Sequence, residues 1–397
     1  MLASENTLST NSSGLQSPLL STSLTDIIDL NTYGMGHSAQ PVEESLMGSV
    51  QATKNPNPRL NNPAVIADFN ADGNTDKLWR NAQTGETAVW LMDGTKPTGA
   101  FLKQMDSSWN FAYADFNGDN KTDIFWRNQT TGDNLIWLMN GTNIVSETSL
   151  QNIDSNWTFN VADFNSDGKS DIFWRNTQTG DNATWLINGT TITTAAFLSN
   201  YNLAWNHSVV DFNGDGNSDI FWHNKTTGEN AVWYMNGTKS SEYSLATVEP
   251  AWDYSTGDFN GDGRTDLFWR NPETSETSIW LMNGLFISKE SLVKVDSSWK
   301  SSIGDFNADG KTDIFWHNEN TGENTAWLMD GTEVDTAAFL PATDIAWKPT
   351  VGDFNKDGKS DIFWRNTQTG ENAVWLMDRT TASGAFVDTV PLEWNVF

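Results

Sequence analysis

The chain has 397 residues and a formal net charge of −28, from 51 acidic against 23 basic side chains. A field of that sign argues against nucleic acid as a partner. The absence of cysteine excludes disulfides, thiolate metal sites and a cysteine nucleophile, and no apolar run reaches the ~18 residues of a membrane-crossing helix.

Residues 1–63 read as a leader. Its first 50 residues are rich in Ser, Thr and Asn and hold no Lys or Arg, so the basic start and apolar core of a secretory signal are both missing. Asn55-Pro56-Asn57-Pro58 reads as an extended linker. The composition predicts a spacer or tail; the alternative is a docking or export segment that orders on a partner.

Residues 64–397 repeat. The stretch Asp163-Phe-Asn-Ser-Asp-Gly-Lys-Ser-Asp171 carries side-chain oxygens at loop positions 1, 3, 5 and 9 and a Gly at position 6 for a sharp turn. Copies start at Asp68, Asp115, Asp163, Asp211, Asp258, Asp305 and Asp353, spaced 47 or 48 residues apart. A fixed period of that size marks a repeat architecture. Three Asp per loop account for 21 of the 51 acidic residues.

Hard cations such as Ca²⁺ take six to eight oxygen ligands, and one short acidic loop supplies most of them. Position 7 would contribute its backbone carbonyl, so its side chain is free to vary. The predicted metal-binding residues are therefore Asp68, Asn70, Asp72, Asn74 and Asp76 in the first loop, and Asp115, Asn117, Asp119, Lys121 and Asp123 in the second. Asp163, Asn165, Asp167, Lys169 and Asp171 follow, then Asp211, Asn213, Asp215, Asn217 and Asp219. The last three sets are Asp258, Asn260, Asp262, Arg264 and Asp266; Asp305, Asn307, Asp309, Lys311 and Asp313; and Asp353, Asn355, Asp357, Lys359 and Asp361. Up to seven Ca²⁺ ions are expected, one per unit. Mg²⁺ fits less well because it keeps more of its water. In the second loop Asn120 stands at position 6; Asn tolerates a left-handed backbone, and this site is expected to be the weakest. An EF-hand is excluded, since position 12 is Trp (Trp79, Trp126, Trp174, Trp222) in a strand pattern instead of a bidentate Glu.

Around each loop run four short β-rich segments with turn chemistry between them. Asn140-Gly141, Asn188-Gly189, Asn236-Gly237 and Asp330-Gly331 are hairpin signals. Ile124-Phe125-Trp126 and Leu135 to Met139 are apolar at both parities, which fits a sheet covered on two faces. The predicted fold is all-β: a seven-bladed β-propeller of four-stranded antiparallel blades. Its units start near residues 64, 109, 157, 205, 252, 299 and 347. Each complete unit has three Trp, but Asn62 occupies the first Trp position of unit 1. Trp394 falls 47 residues after Trp347, so residues 394–397 are predicted to complete blade 1 and latch the ring.

A second recurring feature is Arg-Asn or His-Asn closing the second strand, as in Arg127-Asn128 and His223-Asn224, with Trp and an acid (Asp133, Glu229) nearby. Such a set holds sugars by stacking and hydrogen bonding. It also braces a repeat, with Trp filling the space between blades and Arg pairing with the acid; a feature present in nearly every unit more often does this.

The unit Asp-Phe-Asn-x-Asp-Gly-x-x-Asp-Ile-Phe-Trp resembles the FG-GAP/VCBS repeat over about residues 64–397. The resemblance implies a seven-bladed propeller with calcium in its blade loops, as in integrin α subunits and fungal seven-bladed lectins, in extracellular or surface proteins. Ser275 and Arg379 replace the usual Gly, which leaves those two turns open but not the neighbouring calcium loops. The expected function is an extracellular or cell-surface adhesion or carbohydrate-binding module, with glycans or another surface protein as partner and no catalytic activity. The alternative is an assembly platform docked through the leader. A polysaccharide-active enzyme fits less well, because no insertion breaks the repeat rhythm.

Overall fold

The structure, a computed structural model, describes residues 67–397. The leader and linker expected over residues 1–63 lie outside the described residues, as does Asn62.

In blade 2, strands Trp109–Ala114, Asp123–Asn128, Asn134–Asn140 and Asn143–Leu150 pair in chain order as an antiparallel sheet. Six further four-stranded sheets make a seven-bladed propeller, with no helix among the described residues. The second strand Asp123–Asn128 is buried at every residue, because each blade face meets a neighbour. The fourth strand alternates exposed and half-buried and forms the rim. First strands of neighbouring blades, such as Trp109–Ala114 and Trp157–Ala162, touch at the hub.

The core lies between blades. Seven clusters of buried apolar side chains each join two adjacent blades, and the seventh links Phe354, Phe363 and Val374 of blade 7 to Trp79 and Met92 of blade 1. Blade 1 is closed as the sequence predicts. Trp394–Val396 pairs with Lys77–Asn81, placing Trp394 opposite Asn81 just as Trp109 stands opposite Asn128.

The Arg or His ending each second strand reaches the second-strand Trp of the next blade. Arg80 lies over Trp126, Arg127 over Trp174, Arg175 over Trp222, Arg270 over Trp316 and Arg365 over Trp79, at 4.7 to 5.5 Å. His223 meets Trp269 at 5.3 Å and His317 meets Trp364 at 5.5 Å, edge to face. All seven junctions are bridged this way, the one between blades 7 and 1 included.

Ser275 and Arg379 both adopt positive φ, 64° and 60°. Each keeps one backbone bond of the repeat, Val295 N donating to Ser275 O and Arg379 N to Phe306 O, but Ser275 lacks the bond that Gly132 N makes to Asn128 O. The non-glycine residue carries the strain.

Lys77 occupies the position held by Ile124, Ile172, Ile220, Leu267, Ile314 and Ile362 in the other blades. It is 3% exposed, its Nζ donates to Thr350 Oγ1 at 2.9 Å, and the Phe354 and Phe363 rings sit 5.2 Å away. Burial pushes its ammonium down to about 7. Lys77→Ile should therefore stabilise the fold by about 1–2 kcal/mol, since an ammonium with one neutral partner is costly to bury. Denaturant melts check this, and a lower midpoint would mean the Thr350 bond outweighs the burial.

Candidate functional site

In blades 2 to 7 the acidic loop joins the first and second strands, and in blade 1 it leads into the second strand Lys77–Asn81; its backbone takes positive φ at two places. Position 6 is Gly73, Asn120, Gly168, Gly216, Gly263, Gly310 or Gly358. Asn120, at φ 64°, makes the bond its glycine counterparts make, donating its N–H to Asp115 Oδ2 at 2.9 Å. Position 4 is also left-handed, and in four loops it is not glycine: Ala71, Ser166, Ala308 and Lys356. Gly118, Gly214 and Gly261 signal it in the other three loops, and the sequence gives no such mark in these four.

The curled backbone points N–H groups at the side chains of positions 1, 3 and 5. In loop 1 Asp72 N donates to Asp68 Oδ1 and to Asn70 Oδ1, both at 3.1 Å, and Gly73 N donates to Asp68 Oδ2 at 2.8 Å. Asn74 N reaches Asp72 Oδ1 at 2.8 Å, and Asn70 Nδ2 reaches Asp72 Oδ2 at 2.8 Å. The loop around Asp305, Asn307 and Asp309 repeats these partners. The side chains of positions 1, 3 and 5 are thus tied to one another through the curled backbone.

Position 9 has a second job. Phe69 N donates to Asp76 Oδ2 at 2.8 Å and Met92 N to Asp76 Oδ1 at 2.9 Å, tying the loop to the end of the third strand. Asp123, Asp171, Asp266, Asp313 and Asp361 make the same pair of bonds. In blade 4 Asp219 Oδ1 accepts from Met235 N at 2.9 Å, while its Oδ2 is buried without a partner.

Burial drives these seven carboxyls upward: to about 8 for Asp76, Asp171 and Asp219, and to about 7 for Asp123, Asp266, Asp313 and Asp361. After desolvation, the position 1 and position 5 carboxylates of the same loop push in the same direction in every blade. Asp68, Asp115, Asp163, Asp211 and Asp305 at position 1 are also raised, with burial as the main cause.

Side chains at position 7 pair with nearby acids. Lys121, Arg264 and Lys359 turn back onto Asp119, Asp262 and Asp357 at 3.1 to 3.3 Å, while Lys311 reaches Asp330 at 2.6 Å. As the side chains stand, no three acidic or histidine groups among the described residues are gathered closely enough to hold a metal ion. The donor set still fits one in chemistry: hard oxygens only, three mutually repelling carboxylates per loop, and exposed ion pairs that are individually weak.

A ring of bonds that the sequence reading missed stitches the loops together. Thr122 N donates to Asp68 O at 2.7 Å, and Asp68 N donates to Thr122 Oγ1 at 2.7 Å. The backbone bond recurs at every junction, ending with Thr75 N to Asp353 O between blades 1 and 7. The signal was the Ser or Thr at position 8 of every loop. Its partner is one unit away, so local pattern gave it no meaning.

The Trp, Arg, Asn and acid set is architectural. Arg127 donates to the carbonyls of Gly132, Ile153, Asp154 and Trp157 and to Asn134 Oδ1, not to the acid. Asn128 Oδ1 caps Thr130 N and Thr131 N, and Asp133 is held by Thr131 Oγ1. The second-strand Trp residues are fully buried.

Among solved structures, the chain is similar to an Agrocybe aegerita lectin whose study concerns specific recognition of non-reducing terminal N-acetylglucosamine. That match has TM-score 0.68 and 12% identity and covers 81% of this chain and 94% of the lectin. A Pseudomonas aeruginosa periplasmic gluconolactonase matches at TM-score 0.50 and 11% identity, over 79% of this chain and 99% of its own. A Lactobacillus plantarum protein matches at TM-score 0.51 and 13% identity, over 81% and 99%. Identities this low establish the fold alone. No curated protein matches the sequence significantly. The profile of the FG-GAP-like repeat matches residues 68–126, 115–174, 163–222, 211–269 and 305–364, each span running from one acidic loop to the second-strand Trp of the next blade. The chain belongs to the FG-GAP-like repeat family.

Proposed function

We propose that this protein is a calcium-binding propeller that works outside the cell or on its surface as a carbohydrate-binding, lectin-like adhesion module without catalytic activity. The observation that carries the reading is the sevenfold set of three mutually repelling carboxylates, two of them buried in six of the loops, in loops that also cross-link the blades. The side chains of positions 1, 3, 5 and 9 would hold the ion, with the position 5 carboxylate exchanging its amide or ammonium partner for it. Calcium there would supply charge neutralisation and rigidity.

The likeness to a lectin supports carbohydrate as the ligand class. A ring of similar blades also suits many weak sites acting by avidity. Against catalysis, all three His among the described residues serve packing. His223 and His317 bond to Asn230 and Asn324, and His207 bonds to Asn160 of the blade before it.

A second reading, an assembly platform, draws on the rim. Phe339, Phe386 and Phe101 on the fourth strands of consecutive blades 6, 7 and 1 are 73%, 72% and 72% exposed, an arrangement that suits a protein partner. A glycan array probed with the full chain in calcium and in chelator separates the two. Binding to glycans that chelator abolishes is expected, and no binding in calcium would leave the platform.

A further inference from the structure

Blades 5 and 6 depart from the commonest residue at four positions around one junction; Thr87 shares one of these departures, and Pro349 and Val396 another, but only here do all four meet. Pro272 stands where Gln129, Thr177, Lys225, Glu319 and Thr367 each donate an N–H to the residue before their blade's first-strand Trp. Proline has no N–H, and the first strand of blade 5 starts at Asp253, one residue after Trp252. Thr277 stands where Asn134, Asn182 and Asn372 accept from Arg127, Arg175 and Arg365. Ser275 replaces a glycine at a turn so tight that a Cβ on its counterpart Gly132 would collide with Ile153 O. Ser301 replaces the ring that Phe111, Phe159, His207 and Tyr254 press against Phe397, Phe125, Phe173 and Phe221 of the preceding blade at 4.8 to 5.1 Å.

The missing ring leaves a cleft of about 230 Å³ between blades 5 and 6, lined by Ser255, Phe268, Arg270, Pro272, Lys300 and Ser301, with Asp253 and Ser297 also on its wall. Arg270 has lost its usual partners. Where Arg127 donates five hydrogen bonds, Arg270 donates one, from Nη2 to Asp296 O at 2.6 Å, and its Nε is buried with no acceptor. The guanidinium is nonetheless fixed, 5.1 Å over the Trp316 ring.

Lys300 is exposed and forms no ion pair among the described residues. The acid on the wall, Asp253, is engaged by Lys225 at 2.6 Å. Asp296 lies beside Arg270 and accepts from Ser298 N at 2.9 Å. The cleft therefore offers the outer end of a guanidinium that spends one hydrogen bond on the protein, an ammonium and serine hydroxyls beside Phe268 and Tyr254. That is a surplus of donors, and a carboxylate fits the guanidinium fork best. At about 230 Å³ it is smaller than the ~300–1,000 Å³ of drug-sized sites, which suits one monosaccharide.

We propose that the cleft between blades 5 and 6 binds a sugar acid, its carboxylate against Arg270 and Lys300 and its hydroxyls toward Ser255, Ser297 and Ser301. This inference rests on the carbohydrate-binding reading and gives that reading a position and a charge. The test is calorimetric titration of the full chain, in calcium, with glucuronate and with glucose, repeated on Arg270→Gln and Ser301→Tyr. Ser301→Tyr restores the ring that blade 5 carries as Tyr254, so it should fill the cleft without lowering the melting midpoint. Glucuronate is expected to bind at least about tenfold tighter than glucose, and each variant to weaken glucuronate at least about tenfold. No glucuronate binding by the wild-type chain, or binding unchanged by both variants, would overturn the assignment. Glucose binding as tightly as glucuronate would overturn the sugar-acid inference while the carbohydrate reading stands.

Discussion

A chain ending at Glu393 is expected to melt at a markedly lower temperature than the full chain and to self-associate. Residues 394–396 are the first strand of blade 1, so their loss leaves Lys77–Asn81 as an unpaired edge at the hub. Two aromatic anchors go with them. Trp394 is 9% exposed and lies against Phe101, while Phe397 packs edge to face on Phe111 of blade 2 at 4.9 Å. Arg365 of blade 7 would lose the Trp394 carbonyl that it binds at 2.9 Å, and Leu78 O would lose its bond from Phe397 N. Removing one buried Trp side chain alone costs about 3–5 kcal/mol. The truncation adds lost strand bonds and an exposed edge, so an effect above about 5 kcal/mol is expected, enough to consume much of a typical domain's stability. Calorimetry and size-exclusion chromatography read both effects. A truncated chain that stays monomeric with an unchanged midpoint would mean that the stitch from Thr75 to Asp353 closes the ring unaided.

The strand latch was legible because it repeats a local pattern: Trp394 copies the opening Trp of every other unit at the unit's own spacing. The blades were legible for the same reason, since seven copies of one hairpin chemistry reinforce each other. Contacts between units were not. The bond from Thr122 to Asp68 and the stacking of Arg127 on Trp174 join residues about one period apart, and sequence offers only the neighbour within the blade as a partner. Arg was therefore paired with the nearby acid, whereas the structure gives it carbonyls and the next blade's Trp.

Position 9 of the loop shows a different limit. Its spacing marks Asp76 as a ligand, but spacing is blind to the second-strand start that buries it and to the backbone donors of Phe69 and Met92 that its carboxylate meets. Departures from the repeat carried the most local information. Lys77 among isoleucines, and Pro272, Ser275, Thr277 and Ser301 around one junction, are all visible in the sequence once the units are aligned on one another. Their consequence appears only when the blades are placed side by side.

Chelation is expected to lower the melting midpoint more than any single substitution, and to reverse the protein's response to pH. With millimolar calcium at about 1 to 10 times a dissociation constant in the ~10⁻⁴–10⁻³ M range of extracellular modules, each occupied site adds about 0.4–1.4 kcal/mol. Seven such sites together would contribute on the order of 3–10 kcal/mol, comparable to a whole domain's net stability. In the metal-free protein the buried position 9 carboxyls titrate near 7 to 8, against 3.8 for an unperturbed aspartate. A group raised on folding stabilises the fold fully below its unfolded pKa, and that stability drains away as pH climbs toward the folded value. The chelated protein should therefore melt higher at pH 5 than at pH 8. The calcium-loaded protein should do the opposite, because acid protonates the carboxylates the ion needs. Melting curves at the two pH values, with calcium and with chelator, give four midpoints. Calcium-independent midpoints at pH 8 would leave the loops as self-braced turns, their charge met by Asn amides, backbone N–H groups and the lysines of position 7.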